Sequence, residues 1–377
     1  MRIPAVYMRG GTSKAVLIRQ SDLPGSDVDT DAALLAVMGS PDPYGRQLDG
    51  MGGGASSTSK VAIVEPSSES GVDVDYEFVQ VGIDRPTLGR RGTCGNIASA
   101  VALRAVEDGW VTVTEGSTVV RIRSVNTGGM IHATVPTAGG RALQHGDAVI
   151  AGVAGSGPGI TVVFRDPQGA VTGSLFPTGA PRDQWNDEEV VQEVSLIDAG
   201  NPLLITRGTG IGIGIDRLMP DTLATSMAAM ETLRRLRARA AHACALIDDP
   251  ADADTGSPSI PLVAVIEPPA DYTTTSGAAV SASDVDLRTA MVSSGLPHKA
   301  SPITGAIALA IAVVTPGTLA WELAGERADR MEVRIGHPAG VLHVVIDRDE
   351  LGAVRGAGII RTARRLMTGE LEVALRV

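Results

Sequence analysis

The sequence predicts an α+β fold of two similar domains, each a mixed β-sheet rolled around one central helix, with the active site in the cleft between them. A chain of 377 residues is too long for one ordinary core. Residues 97–106 and 306–314 are apolar on nearly every face, which is typical of a helix enclosed by other structure. Each follows a polar loop, and the two loops lie about 210 residues apart along the chain. Chance similarity of two buried helices is the alternative explanation.

The first half of the chain alternates short strands with glycine-rich turns. Residues 3–20 predict two strands around the turn at 9–14, and a short helix at 31–38 is predicted with Asp29 and Thr30 as its cap and Gly39 as its end. The apolar residues of the two strands are spaced for one face of the sheet: Val6, Met8, Val16 and Ile18. Buried and half-exposed strands are predicted at 60–64 and 72–83.

In the second half, a strand at 194–197 precedes a long helix at about 222–245 and a strand at 261–266. The polar stretch around Trp185 predicts the domain boundary. We therefore expect an N-terminal domain of residues 1–185 and a C-terminal domain of residues 186–377 that closes the cleft.

Composition excludes several classes of partner. The net charge of −11 and the pI of about 5.1 disfavour nucleic acid. No apolar run reaches the roughly 18 residues that cross a bilayer. The first residues lack the apolar stretch and cleavage site of a signal peptide, so we expect no secretion. Two cysteines in dissimilar contexts fit a reducing cytosol better than a disulfide framework. We expect a cytoplasmic protein with a small anionic substrate and no membrane partner. The sequence leaves the oligomeric state open, a homodimer included.

Lys60 is the main candidate for acid–base chemistry. The chain has 32 Lys and Arg residues, of which only Lys14, Lys60 and Lys299 are lysine. Because Arg serves here wherever a permanent cation suffices, a retained lysine is favoured as an amine that can lose its proton when desolvated. The alternative is an ordinary surface lysine.

Cys94 is the second candidate, because it stands directly before the apolar segment 97–106. Free backbone N–H groups and the dipole at a helix start favour an anion, so a thiolate would be stabilised there. The alternative is a small buried hydrophobe. The histidines show no metal-ligand spacing, and no zinc, Rossmann or Walker motif is present, so we expect chemistry without a cofactor.

Five segments together resemble the PrpF family of methylaconitate isomerases and 4-oxalomesaconate tautomerases. They are residues 8–14 (MRGGTSK), 40–53 (SPDPYGRQLDGMGG), 57–60 (STSK), 94–96 (CGN) and 361–367 (RTARRLM). The resemblance implies a diaminopimelate-epimerase-like fold. It also implies a metal-free allylic proton shift or cis–trans isomerisation of an unsaturated di- or tricarboxylate. The catalytic lysine and cysteine of the family fall on Lys60 and Cys94.

The mechanism we expect begins with a neutral Lys60 that removes a proton beside an activated carboxylate or alkene. The N–H groups of Gly95 and Asn96 would stabilise the resulting dienolate, and the proton would return from Lys60 or Cys94. Two further groups of side chains are predicted. A cationic cluster is drawn from Arg9, Lys14 and Lys299. Substrate carboxylates are held by Ser13, Ser59, Asn201, His298 and Thr304.

Three alternatives remain beside a 2-methylaconitate-like substrate. The first is a tautomerase of 4-oxalomesaconate. The second is an amino-acid racemase or epimerase, which would use a pair of cysteines, whereas the loop at 297–305 contains none. The third is a non-catalytic carboxylate-binding protein, which would need no titrating lysine.

Overall fold

The structure, a computed structural model, describes residues 1–90, 92–187, 190–214, 218–293 and 295–374. Its strands and helices are numbered in chain order. The strands are β1 (Arg2–Gly10), β2 (Ser13–Arg19), β3 (Lys60–Pro66), β4 (Val74–Val81), β5 (Leu88–Gly89), β6 (Gly116–Ser124), β7 (Met130–Ala138), β8 (Arg141–Ala142), β9 (Ile160–Arg165), β10 (Asp183–Asp187), β11 (Val190–Ala199), β12 (Asn201–Arg207), β13 (Leu262–Glu267), β14 (Tyr272–Thr273), β15 (Ala279–Val280), β16 (Leu287–Ser293), β17 (Leu296–Pro297), β18 (Glu332–His337), β19 (Gly340–Arg348), β20 (Val354–Arg361) and β21 (Ala363–Glu372). The helices are α1 (Asp27–Met38), α2 (Gly95–Glu107), α3 (Pro220–Thr225), α4 (Met227–Ala243), α5 (Ala253–Gly256), α6 (Ile303–Val313) and α7 (Leu319–Leu323).

The chain forms two compact units. Unit 1 comprises Met1–Val162 and Ile360–Val377, and unit 2 comprises Val163–Ile359. This division differs from the expected domains 1–185 and 186–377. The C-terminal residues join unit 1 because β21 pairs with β1 along its length, and β10 joins unit 2 because it pairs with β11.

Both units pair their strands in the same order. In unit 1, β1 to β4, β6 and β7 are joined in succession by antiparallel, parallel, antiparallel, parallel and antiparallel pairings. In unit 2, β11, β12, β13, β16, β18 and β19 repeat that succession. The repeat inferred from two buried helices is therefore present in the strand topology, and the prediction of an α+β fold is confirmed.

A buried helix lies against the sheet of each unit. Every residue of α2 except Glu107 is buried, and α2 contacts strands β1 to β4, β6 to β8 and β21. Every residue of α6 is buried, and it contacts β11, β12, β13, β18 and β19. The small alanines of both helices let strands approach on several sides. Because strands surround each helix, nearly every face of the helix is apolar.

A second helix covers the other face of each sheet. In unit 1, Leu34, Val37 and Met38 of α1 pack against Val16 and Val61 of the sheet. In unit 2, α4 packs in the same way on β11, β12, β13 and β16. Since side chains alternate between faces along a strand, neighbours of Val16 and Val61 point towards α2.

Three sequence predictions about elements need correction. The hydroxyl of Ser26 accepts the N–H of Asp29 at 3.2 Å and caps α1, so the helix begins earlier than expected. The long helix expected at 222–245 is divided at Ser226 into α3 and α4. Val16 lies opposite Tyr7, whereas Met8 lies opposite Ala15, so Val6 and Met8 do not share a face with Val16 and Ile18.

Candidate active site

Lys60 is the first residue of β3, on the face of the sheet that α2 covers. Its neighbour Val61 belongs to the core beneath α1, so alternation along the strand directs Lys60 to the opposite side. The side chain is only 8% exposed. Its Nζ lies 2.5 Å from Oε1 of Gln80 and 4.9 Å from the centre of the Phe78 ring. The amine is thus held in a half-polar, half-aromatic environment rather than in bulk water.

Burial of the Lys60 side chain favours the neutral amine. Burial lowers the pKa of Lys60 from its ordinary value of 10.5, because desolvation disfavours the ammonium form. The thiol of Cys94 acts on the same pKa in the opposite direction, which places the two groups within electrostatic range of each other. The joint catalytic role expected of Lys60 and Cys94 stays a prediction, which this electrostatic influence supports.

Cys94 occupies the N-cap position of α2. Its backbone is extended, and its carbonyl oxygen accepts the N–H of Ala98 at 3.0 Å, the first hydrogen bond of the helix. The N–H groups of Gly95 and Asn96 precede that bond, and helix geometry gives them no partner within α2. The half-buried thiol is free and makes no capping bond. An anion beside Cys94 would meet these N–H groups and the positive end of the helix dipole.

Tyr76 holds the Cys94 backbone from below. This fully buried residue of β4 donates its hydroxyl to the carbonyl of Cys94 at 3.3 Å. Burial, and then the Cys94 thiol, raise the pKa of Tyr76 well above its usual 10. The phenol is therefore a permanent donor, and it fixes the start of α2.

Asn96 ties the β1–β2 turn to the start of α2. Its Oδ1 accepts the N–H of Thr12 at 3.3 Å and Nε of Arg361 at 3.2 Å, and its Nδ2 donates to the Thr12 hydroxyl at 3.1 Å. The turn sits so close that a Cβ on Gly10 would lie 2.3 Å from the Asn96 carbonyl oxygen. Because the Asn96 side chain is engaged in this way, its predicted part in dienolate binding is left to its backbone N–H.

Two predicted cations do not join Lys60. Arg9 and Lys14 lie opposite each other on β1 and β2, on the face that carries Tyr7 and Val16 and faces away from Lys60. Arg9 donates to the carbonyls of Gly11 and Thr362 at 3.0 and 2.8 Å, and Nζ of Lys14 lies 5.5 Å from the Tyr7 ring. The predicted cationic cluster is not supported by this arrangement, because strand alternation turns both side chains to the other face.

The two predicted serines differ. The Ser59 hydroxyl donates to the carbonyl of Val81 at 3.0 Å and accepts Nε2 of Gln47 at 2.7 Å, so it is committed to the loop that leads into β3. Its predicted contact with substrate is therefore not supported. Ser13 begins β2, is buried, and shares the α2-facing side with Ala15, so its place beside the Lys60 environment remains a prediction.

In unit 2, Asn201 and Thr304 lie together at the start of α6. Nδ2 of Asn201 donates to the Thr304 hydroxyl at 3.1 Å. Both residues are buried, and within the described part of the chain Oδ1 of Asn201 has no partner. This pair repeats the link between Thr12 and Asn96 in unit 1, with the amide now on the turn and the hydroxyl on the helix.

The other two predicted residues of unit 2 lie in the loop between β17 and α6. His298 is half-buried, and its N–H donates to the carbonyl of Met291 at 2.8 Å. Lys299 is exposed. Cys244, interpreted from the sequence as a packing residue, is buried in the core beneath α4, where burial raises the pKa of its thiol to about 12.

Three site residues were missed by sequence reasoning: Gln80, Tyr76 and Arg361. The first two face Lys60 and Cys94 from β4, and no sequence signal gives the register that places Gln80 opposite Lys60. Arg361 is buried, its hydrogen-bond partners among the residues that the structure describes include no carboxylate, and burial lowers its pKa to about 10. The sequence did offer a signal for Arg361, because it begins the segment 361–367 that resembles the PrpF family.

The chain is similar to known proteins over nearly its whole length. A family model described as "PrpF protein" matches residues 1–374. The (4E)-oxalomesaconate Delta-isomerase of Novosphingobium sp. (strain KA1) is 38% identical over 372 residues, which are 97% of this chain and 96% of that protein. The 2-methyl-aconitate isomerase of Cupriavidus necator is 36% identical over 388 aligned positions, covering 99% of this chain and 97% of that protein.

Solved structures give the same result. The crystal structure of a methylitaconate-delta-isomerase has a TM-score of 0.83 and 35% identity, covering 99% of this chain and 96% of that chain. A hydroxyproline epimerase from Agrobacterium vitis has a TM-score of 0.55 at 12% identity, covering 98% of this chain and 92% of that chain, a likeness that shows the fold alone. In the described residues, no cluster of His, Cys, Asp and Glu suits a metal ion, and no helix is long and apolar enough to cross a membrane.

Proposed function

The chain belongs to the PrpF family, and from that premise and the surroundings of Lys60 we propose that it moves a hydrogen along the allylic unit of a 2-methylaconitate-like acid. It is an isomerase of unsaturated carboxylic acids, as the names of its relatives indicate. The observation that supports the allylic hydrogen shift is the burial of the Lys60 amine. Burial lowers the pKa of Lys60, and Cys94 is near enough to act on that pKa electrostatically.

The first step is proton removal by Lys60. Its lone pair takes a proton from the carbon beside the alkene, and the electron pair of the broken C–H bond spreads through the double bond into the carboxylate. The N–H groups of Gly95 and Asn96 at the start of α2 stabilise the negative charge of this dienolate. A neutral amine is required, and burial lowers the pKa of Lys60, which favours that form.

The second step returns a proton to the far end of the three-carbon unit. The ammonium of Lys60 can deliver the same proton, which restores the neutral amine. Alternatively the Cys94 thiol donates its proton, and the thiolate is then reprotonated by the Lys60 ammonium. Both routes balance without a cofactor. Rotation in the dienolate before reprotonation would give the geometric isomer. We propose that Cys94 remains a free thiol because the protein works in the reducing cytoplasm.

We propose that Asn201 and Thr304, at the start of α6, bind a carboxylate. A hydroxyl can donate or accept, so either end of the Asn201 amide can face the Thr304 hydroxyl. If its oxygen faces the hydroxyl, Nδ2 is left to donate to a carboxylate at the start of α6, where the helix dipole favours an anion. The unpartnered Oδ1 in the present orientation supports this role.

An amino-acid racemase with paired thiols is disfavoured by the repeat between the units. Helix α6 corresponds to α2 in the strand order, and its N-cap residue is Pro302 where α2 has Cys94. The second cysteine, Cys244, lies in the core beneath α4. A one-base allylic shift needs only the groups of unit 1.

The second candidate substrate is 4-oxalomesaconate, favoured by the 38% identity to the Novosphingobium isomerase. Incubation of the enzyme in heavy water with 2-methylaconitate, 4-oxalomesaconate, methylitaconate and proline, followed by proton NMR, separates the candidates. Deuterium at an allylic carbon of one acid, with isomerisation, is the expected result. Exchange at the α-carbon of proline, or neither isomerisation nor exchange with any acid, would contradict the proposal. Isomerisation without deuterium would indicate that Lys60 returns the same proton.

The lysine is tested by two substitutions. Lys60→Ala and Lys60→Arg should both reduce kcat by about 10³-fold or more, because removal of a general base costs roughly 10² to 10⁴ and Arg retains the charge but does not deprotonate. Far-UV circular dichroism of both variants should match wild type. Activity within tenfold of wild type in Lys60→Ala would remove Lys60 as the base.

A further inference from the structure

Gln80 lies beside Lys60 on the neighbouring strand of the sheet. The two residues are opposite each other in the antiparallel pairing of β3 and β4, and Oε1 of Gln80 lies 2.5 Å from Nζ of Lys60. The Gln80 amide is half-buried. The Gln80 side chain therefore contacts the Lys60 amine itself, in addition to the backbone pairing of the two strands.

The orientation of this amide is fixed by the backbone. Nε2 of Gln80 donates to the carbonyl of Ser59 at 2.9 Å and to the carbonyl of Ser56 at 3.1 Å. Both of its hydrogens are used, since an amide nitrogen has two. The reverse orientation would set the amide oxygen against two carbonyl oxygens. Gln80 must therefore present its oxygen, an uncharged acceptor, to Lys60.

An acceptor in this position controls where the lone pair of the amine points. A neutral amine has two hydrogens and one lone pair on a flexible four-carbon chain. When one hydrogen is donated to Gln80 and the nitrogen lies 4.9 Å from the centre of the Phe78 ring, the remaining directions of the nitrogen are restricted. The lone pair is then available on the side of the nitrogen away from Gln80.

We propose that Gln80 is a positioning residue that aims the Lys60 lone pair at the substrate, and that its uncharged amide leaves the amine free to act as a base. This inference rests on the proposed function. A carboxylate at the same place would pair with the ammonium form and hold the proton on Lys60. An amide gives the same direction without that charge.

Two substitutions of Gln80 should act in opposite directions on the pH dependence of kcat/KM. Gln80→Glu places a charge beside Lys60, so the ascending limb should move to higher pH by at least about one unit, as an adjacent opposite charge does. Gln80→Met keeps the length of the side chain but removes the acceptor, so the limb should move to lower pH. Its plateau should fall about 10-fold or more, because a misplaced catalytic group costs rate.

A readout independent of activity uses the same variants. The rate at which a small anhydride acylates Lys60 is measured against pH by mass spectrometry of the digested protein, with exposed Lys299 as the internal reference for the reagent. The midpoint for Lys60 should move up in Gln80→Glu and down in Gln80→Met. Gln144→Glu adds the same charge at an exposed position of unit 1 and should leave the midpoint where it is in wild type.

The outcomes distinguish this inference from the proposed function. If Lys60→Ala is inactive, but both Gln80 variants keep the wild-type midpoint and lose activity by a similar factor, Gln80 only secures the 56–59 loop and the inference is overturned. If Lys60→Ala is active, the proposed function fails first. Should Gln80→Glu not fold, the downward shift in Gln80→Met decides alone, and its absence overturns the inference.

Discussion

Replacing Gly11 with alanine should detach the β1–β2 turn from the start of α2. Gly11 has φ of +50°, a left-handed conformation that side chains rarely adopt. A Cβ there would lie 1.9 Å from Oδ1 of Asn96 and 3.0 Å from Cδ of Arg361. No real Cβ tolerates the first distance, so the Asn96 side chain must leave its position.

The cost can be worked from the contacts that are lost. The left-handed conformation costs an alanine about 1 kcal/mol. Displacing Asn96 breaks its two hydrogen bonds to Thr12, at 3.3 and 3.1 Å, worth about 1 kcal/mol each. It also breaks the 3.2 Å bond that Asn96 accepts from the charged Arg361, worth about 1.5–3 kcal/mol. We therefore expect Gly11→Ala to lower the free energy of unfolding by about 4–6 kcal/mol.

Urea unfolding followed by circular dichroism measures this loss, and Gly45→Ala is the matched control. Gly45 has φ of +66°, but its Cβ would meet nothing within 4 Å, so only the conformational cost of about 1 kcal/mol applies. In the double variant Gly11→Ala with Asn96→Ala, the second change removes the clashing atoms, and the two costs should not add. Equal losses in Gly11→Ala and Gly45→Ala, or strict additivity in the double variant, would refute the reasoning.

Two further predictions concern the start of each buried helix. Tyr76→Phe removes the hydrogen-bond donor to the Cys94 carbonyl, so the free energy of unfolding should fall by about 1 kcal/mol. The kcat should also fall, while KM is nearly unchanged. A variant with the stability and kcat of wild type would show that the phenol does not position Cys94. Thr304→Val leaves the Asn201 amide without its hydroxyl partner, so KM for the acid should rise about 10-fold or more with a smaller change in kcat. The control Thr304→Ser should retain the wild-type KM. An unchanged KM in Thr304→Val would argue against carboxylate binding at the start of α6.

The two buried helices were predictable because their sequences carry their own signal. Residues 97–106 and 306–314 are apolar on nearly every face, and a helix surrounded by sheet can bury all of them. The strand that begins at Lys60 was predictable for the same reason. The boundary between units was not, because the pairing of β21 with β1 joins residues some 360 positions apart, from Arg2↔Glu372 to Gly10↔Ala363.

Site residues with a reactive side chain could be predicted from the sequence. Site residues that strand register alone brings into the site could not. Lys60 and Cys94 stand out as rare reactive side chains beside polar loops. Gln80 and Tyr76 are ordinary strand residues, and only the pairing of β3 with β4 reveals them. Register also explains the misplaced cations. The two-residue turn pairs Gly10 with Ser13, which puts Arg9 and Lys14 on the face that carries Tyr7.

The ionisation of Lys60 tests the central claim most directly. The chain has three lysines, so isotope-labelled lysine gives three side-chain nitrogen signals, and Lys60→Arg identifies the one from Lys60. A lowered pKa means that the amine becomes neutral, and kcat/KM rises, at a pH below the ordinary 10.5. We predict that the Lys60 signal titrates below 10.5 and together with the ascending limb of kcat/KM. Titration at or above 10.5, or a limb that does not follow it, would contradict the account.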